Sequence, residues 1–190
     1  MNKANQRICK MCRLHKKRTQ VVVSDGGIRR CDWVLVGEGP GGDEDREGKP
    51  FVGNCGRILR KAFKKYAGLV LGDECIVLNS VSCRPPGNRN PKKDESEMCL
   101  NWLRLNIAMI QPKLVCAVGR FAAASFIKGP VERGLFYNKK HMRDIWQKDR
   151  YCFKLMHIWH PGYLLRNGSD KNYMTWYEHM NKFKEMMENV

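Results

Sequence analysis

The sequence lacks any apolar run of the roughly 18 residues that a membrane-spanning helix needs. Its first residues, MNKANQRICKMC, hold no apolar stretch either, so no secretory signal is expected. The expected location is therefore intracellular, in the cytoplasm of a prokaryotic cell or a viral host cell. Internal repeats, low-complexity tracts and Ser/Pro linkers are absent as well. A chain of 190 residues can enclose one real core and little more, so a single domain over residues 1–190 is expected. Acidic residues are scarce: 19 Asp and Glu stand against 35 Lys and Arg, a net charge of +16. That imbalance points to a polyanionic partner, because each Lys or Arg that meets a phosphate releases condensed counterions. Basic clusters recur at Lys16, Lys17 and Arg18, at Arg84, Arg89, Lys92 and Lys93, and at Lys139, Lys140 and Arg143. No basic amphipathic helix with an aromatic apolar face is evident, which favours nucleic acid over a membrane surface.

Cysteine, by contrast, is plentiful. Nine is an odd number, and a chain kept inside the cell holds its thiols reduced, so a disulfide framework is not expected. Cys9 and Cys12 form a C-x-x-C pair, and Cys83 and Cys99 can complete a four-thiolate shell. By spacing alone that shell suits zinc or an iron–sulfur cluster equally. Cys31, Cys55, Cys75, Cys116 and Cys152 lie in or beside apolar patterns and read as core residues.

Four apolar runs predict buried strands: Asp32 to Gly37, Cys75 to Ser82, Lys113 to Gly119 and Phe153 to Trp159. Their hydrophobicity is continuous, not alternating, which suits parallel strands covered on both faces. Helical patterns lie between them. Cys55 to Tyr66 ends near Gly68, a C-cap. Asp94 to Ile110 opens with Asp94 and Glu97 in capping-box spacing and stops before Pro112. Arg120 to Ile127 is short, and Tyr173 to Glu188 is amphipathic. The fold class expected is α/β: a three-layer α/β/α sandwich around a central four-stranded parallel sheet. In such folds the site lies at the carboxyl ends of the strands. The segments there are GEGPGGDEDREGKPFVG, NSVSCRPPGNRNPKK and HPGYLLRN.

Gly37, Gly39 and Gly42 fit G-x-G-x-x-G directly after a strand. A dinucleotide site is nevertheless rejected. Asp43, Glu44, Asp45 and Glu47 would repel a diphosphate, and the usual ribose-binding acid is missing. The plain alternative is a tight solvated turn.

GEGPGGDEDREGKPFVGNCGRIL resembles the first motif of the family 4 uracil-DNA glycosylases, the iron–sulfur branch of that superfamily. NSVSCRPPGNRNP and HPGYLLR resemble its second and third, and CKMCRLHKKRTQVV matches in order and position. These blocks run from Cys9 to Arg166 in the family's order. The resemblance implies excision of uracil from DNA by hydrolysis of its N-glycosidic bond. It also implies a [4Fe–4S] cluster on Cys9, Cys12, Cys83 and Cys99, in a structural role. His160 would donate to the uracil carbonyl that gains charge, Asn79 would read the base edge, Phe51 would stack on the flipped base, and Gly39 would lie against the substrate. Family 1 enzymes carry an Asp at the place of Gly39. Here Glu38 is the nearest candidate to position water, with Asp43 and Asp45 as weaker ones. Arg84, Arg89, Lys92 and Arg166 would hold phosphates, and Leu164, in an apolar loop, would wedge into the stack. His157 reads as core. The segment between Asn88 and Asp94 lacks the histidine-bearing insertion of relatives that trap uracil covalently, so turnover is expected. The expected partner is uracil-containing DNA, bound by a monomer; protein partners are unspecified. The alternative reading is a non-catalytic DNA-binding or replication-accessory protein on the same scaffold. The third motif reads HPG where the family has HPA or HPS, and no mechanism attaches to residues 129–150.

Overall fold

The computed structural model describes residues 3–129, 136–137, 142–147 and 152–189. Five strands form one sheet: β1 (Trp33–Gly37), β2 (Ile76–Asn79), β3 (Leu114–Val118), β4 (Phe136–Tyr137) and β5 (Lys154–Ile158), in the order β2-β1-β3-β5-β4. The four longer strands are parallel, as the continuous apolar runs predict. The two-residue β4 adds an antiparallel edge that the sequence reading did not anticipate. Lys139 and Lys140, from one of the basic clusters, lie outside the described residues.

Alternate residues of each parallel strand face opposite layers. Leu35, Val77, Cys116 and Met156 face one side, covered by α3 (Asn54–Ala62) with its terminal π turn Phe63–Ala67, and by Trp176, Met180 and Phe183 of α8 (Asp170–Glu188). Val34, Ile76, Leu78 and Val115 face the other, under Leu103, Ile107 and Ile110 of α4 (Lys93–Ile110) and Ala122 and Ala123 of α5 (Arg120–Ala124). Burial on both faces is what makes the strands read as unbroken apolar runs. The outer edge of β2 is covered in turn. The Asp25 N–H donates to the Val77 carbonyl at 2.9 Å, and the Val77 N–H donates back to the Asp25 carbonyl at 3.0 Å.

The helix starts differ instructively from expectation. The spacing of Asp94 and Glu97 predicts a capping box, but Glu95 performs that task. Its carboxylate accepts the Lys92 N–H at 2.8 Å and a two-pronged pair of bonds from Arg89. Asp94 pairs instead with Arg13 and Glu97 with Arg143. The C-cap at Gly68 is present, with φ of 72°. Helix α8 begins three residues earlier than the periodicity suggests, because the Ser169 hydroxyl accepts the Asn172 N–H. Two short helices occupy segments read as turn or loop. In α2 (Gly42–Glu47) the acidic run becomes the first turn, where the helix dipole favours carboxylates. In α7 (Pro161–Asn167) Pro161 sits at the first helical position, a place suited to its fixed φ.

Leu35 is fully buried in the centre of the sheet. Leu35→Ala should cost about 2–5 kcal/mol. The expected reading is a lower midpoint in urea denaturation with an unchanged slope.

Candidate active site

The sheet order brings the carboxyl ends of β1, β2, β3 and β5 to one edge, and a pocket of about 430 Å³ opens there. Phe51, Asn79 and His160 all line it, together with Glu38, Gly39, Arg89 and Arg166. Three segments far apart in sequence therefore converge as expected on one cavity.

The β1–β2 register sets Gly37 opposite Asn79. A Cβ at Gly37 would stand 2.5 Å from the Asn79 Oδ1 and 2.5 Å from the Phe51 ring. Only a residue without a side chain leaves room for both. The Asn79 amide is buried and makes no hydrogen bond to another described residue, so both its donor and its acceptor are available to a ligand. Phe51 adopts φ of 55°, a left-handed conformation that costs a bulky residue about 1–3 kcal/mol. What holds it is Arg60, a residue that sequence reading passes over as one more helix cation. Arg60 donates to the carbonyls of Phe51 (2.9 Å), Pro50 (3.0 Å) and Leu71 (2.6 Å), and to the Asp25 carboxylate (2.6 Å). The ring thus held lies 6.1 Å from the His160 ring, tilted by 34°.

His160 caps α7, its Nδ1 accepting the Gly162 N–H at 3.0 Å. That bond leaves the proton on Nε2, which becomes the donor of a neutral ring. Burial lowers the imidazole to about 4 from the ordinary 6.5, and the Arg166 cation pushes the same way, against Glu44. Glu38 is the reverse case. Burial raises its carboxyl to about 7, opposed by Arg120 and Arg166.

The other acids are structural. Glu44 accepts the N–H groups of Gly41, Val52 and Gly53, tying the two halves of the first motif together. Its position three residues after Gly41 was the legible signal. Asp45, expected as a weak candidate to position water, is buried and accepts from the Thr19 and Gln20 N–H groups, so it cannot serve. Asp43 lines the pocket and pairs with Arg46.

Two expected DNA contacts are corrected. Leu164 is only 1% exposed, because α7 turns it inward; Leu165 on the same helix is 46% exposed, beside Tyr163 at 38%. Arg89 lines the pocket, but its guanidinium is held by the buried Glu95 carboxylate. Arg84 donates through Nε to Asn88 at 2.7 Å, and Lys92 is exposed. Two cysteines expected in the core are not there: Cys55 lines the pocket and Cys152 is exposed. Cys75 and Cys116 are fully buried, as is His157.

Cys9, Cys12, Cys83 and Cys99 surround a second, small and mostly apolar pocket with Arg18 and Trp102. Three of the sulfurs receive N–H donors: Trp102 to Cys9 at 3.3 Å, Arg18 to Cys83 at 3.0 Å and the Ser82 backbone to Cys99 at 3.4 Å. As free thiols Cys12, Cys83 and Cys99 are poorly placed to ionise. Burial and mutual repulsion raise Cys12 and Cys83, and Cys99 reaches about 12. Among the described residues no three His, Cys, Asp or Glu side chains converge as a single metal ion would require. The donor set, four cysteine sulfurs of which three receive an N–H, fits a thiolate-bound metal group.

An α/β domain with a partly polar pocket at the carboxyl ends of its parallel strands is thus the class that fold and site define. The sequence profile of the uracil DNA glycosylase superfamily matches residues 23–184. Over 164 residues the chain is 35% identical to a type-4 uracil-DNA glycosylase of Thermotoga maritima, covering 86% of this chain and 81% of that protein. It is 32% identical over 190 residues to one of Saccharolobus solfataricus, covering 95% and 82%. A third, of Sulfurisphaera tokodaii, is 41% identical over 112 residues, or 59% of this chain and 50% of that protein. The chain belongs to the uracil DNA glycosylase superfamily. Among the described residues no helix is long and apolar enough to cross a membrane.

By NMR titration the His160 ring should remain neutral, with its proton on Nε2, down to a midpoint near 4. In Arg166→Gln the midpoint should rise, since a cation that opposes protonation is gone. A wild-type midpoint at 6.5 contradicts the buried neutral ring.

Proposed function

We propose that this chain flips uracil out of DNA and hydrolyses its N-glycosidic bond, leaving an abasic site. The observation that carries the reading is the convergence of Phe51, Asn79 and His160 on one pocket. Cleavage of a deoxynucleotide's glycosidic bond puts negative charge on the departing base and positive charge on the sugar, and the base must first leave the stack. Phe51 offers its ring to the extruded base. Asn79 donates to one uracil carbonyl and accepts from the ring N–H. Cytosine presents the opposite pattern, and unpaired buried groups of that kind discriminate by roughly 10⁴–10⁵. The His160 Nε2–H donates to the carbonyl that gains charge. A neutral donor suits this task, because its hydrogen bond strengthens as the anion develops. Glu38, the one pocket carboxyl without a backbone or ion-pair partner among the described residues, positions the attacking water or stabilises the sugar cation. Gly39 lets the backbone run close to the substrate. Arg84, Lys92 and Arg166 meet phosphates, positioning the strand without reading sequence. Leu165 takes the wedge role that sequence reading gave to Leu164. The chain acts as a monomer.

Cys9, Cys12, Cys83 and Cys99 hold a [4Fe–4S] cluster. Its contribution is structural: it fastens the N-terminal segment to the end of β2 and to α4, and no step of the hydrolysis runs through it. Protein purified without air should be brown and contain iron and sulfide. Colourless protein with one equivalent of zinc would overturn the assignment.

A single-stranded oligonucleotide carrying one deoxyuridine tests the main reading, with abasic sites revealed by alkali. His160→Ala should lower the single-turnover rate by roughly 10²–10³. Asn79→Asp should lose excision while keeping DNA affinity. If wild-type protein binds the strand and leaves uracil in place, the chain is a non-catalytic DNA-binding protein on the same scaffold.

The pH dependence separates the two titrating groups. Glu38 must be ionised, and its carboxyl loses the proton as pH rises through about 7, so the rate should climb across that range. His160 is already neutral above about 4 and contributes no limb there. The limb should vanish in Glu38→Gln, whose rate is lower by about 10²–10⁴ and flat with pH.

A further inference from the structure

Sequence reading places Arg18 with Lys16 and Lys17 in one basic cluster, yet the three part company in the structure. Lys16 and Lys17 are exposed, whereas Arg18 is half-buried and lines the small pocket among the four cysteines. Its Nη1 donates to the Cys83 sulfur at 3.0 Å, and it forms no ion pair among the described residues. A neutral thiol accepts hydrogen bonds weakly and is a poor match for a guanidinium without a carboxylate. A thiolate is a good one. The chain beyond Arg18 is fixed in a way that aims it there. The Thr19 and Gln20 N–H groups donate to the buried Asp45 carboxylate at 2.9 and 3.3 Å. The Val22 N–H donates to the carbonyl of Ser82, the residue before Cys83, at 2.8 Å. The other donors to these sulfurs, Trp102 and the Ser82 backbone, are neutral, so Arg18 is the one cation lining this pocket among the described residues.

We propose that Arg18 is a positioning residue of the metal centre: it holds the Cys83 thiolate toward the metal and offsets the negative charge that four thiolates bring. The inference rests on the metal centre assigned above to Cys9, Cys12, Cys83 and Cys99. Four thiolates outweigh the charge of an iron–sulfide core, so the bound group is a net anion, and one added electron deepens that charge. A permanently charged guanidinium at one sulfur favours the more negative state, and with it a higher reduction potential. The mostly apolar lining offers little water to screen this attraction. The hydrolysis uses no such electron; the potential serves here as a gauge of the charge beside Cys83.

The test compares wild type, Arg18→Gln and Arg18→Lys, purified without air, with metal content, sulfide content and melting temperature measured for each. Gln keeps an N–H donor and loses the charge; Lys keeps the charge and loses the planar fork. Iron release to an excess of chelator should be about tenfold or more faster in Arg18→Gln, with Arg18→Lys closer to wild type. In a reductive titration followed by electron paramagnetic resonance, Arg18→Gln should take its electron at a more negative potential, with Arg18→Lys between the two. A merely structural role would lower the melting temperature and leave the potential where it was. An unchanged potential in Arg18→Gln therefore overturns the proposal, as does an Arg18→Lys no better than Arg18→Gln. Should Arg18→Gln load no iron, iron in Arg18→Lys upholds the need for charge, and its absence there overturns it. Wild-type protein holding zinc overturns the cluster assignment alone. Zinc release from the same three proteins then decides the part of Arg18: faster release from Arg18→Gln upholds it, and equal release overturns it.

Discussion

Gly37 stands opposite Asn79 in the β1–β2 register, and the missing side chain leaves the space that the Asn79 amide and the Phe51 ring both enter. Slipping that register by one residue would turn Asn79 to the other face of the sheet and set a bulky strand residue where the glycine is. The register is secured by apolar burial on both sides, by the segment around Asp25 along the outer edge of β2, and by β3 on the inner edge of β1. The position of the Asn79 amide therefore depends on the same burial that folds the domain. So does the position of His160, because β5 is aligned to β3 from Leu114 to Val118.

The acidic residues divide labour by their partners. Glu44, Asp45 and Glu95 accept from backbone N–H groups or from arginine, which fixes loops. Glu38 lacks such partners among the described residues and is desolvated, which leaves it able to change charge near neutral pH. The charges of Arg120 and Arg166 oppose the rise in its pKa without cancelling it.

Much of this was legible in the sequence, for identifiable reasons. The parallel strands announced themselves because burial on both faces leaves no polar alternation. Glu38, Asn79 and His160 were legible because they sit at or just past strand ends, and Phe51 because it shares a motif rich in Gly and Pro with Glu38. The remainder needed three-dimensional facts. Arg60 has no local signature, since its acceptors belong to four separate residues on three segments. Choosing between Leu164 and Leu165 needed the helical phase of α7, which a His-Pro-Gly start disguised as a loop. The tie between Arg89 and Glu95 was obscured because the capping spacing pointed to Asp94 and Glu97. The antiparallel edge strand is too short for any periodicity to show.

The fork of Arg60 fixes one wall of the pocket from behind. Its donors are spent on three carbonyls and a carboxylate, so the strained backbone at Phe51 has little slack to give. Asp25 and Leu71 do not line the pocket, yet a change at either would reach its aromatic wall through a single guanidinium.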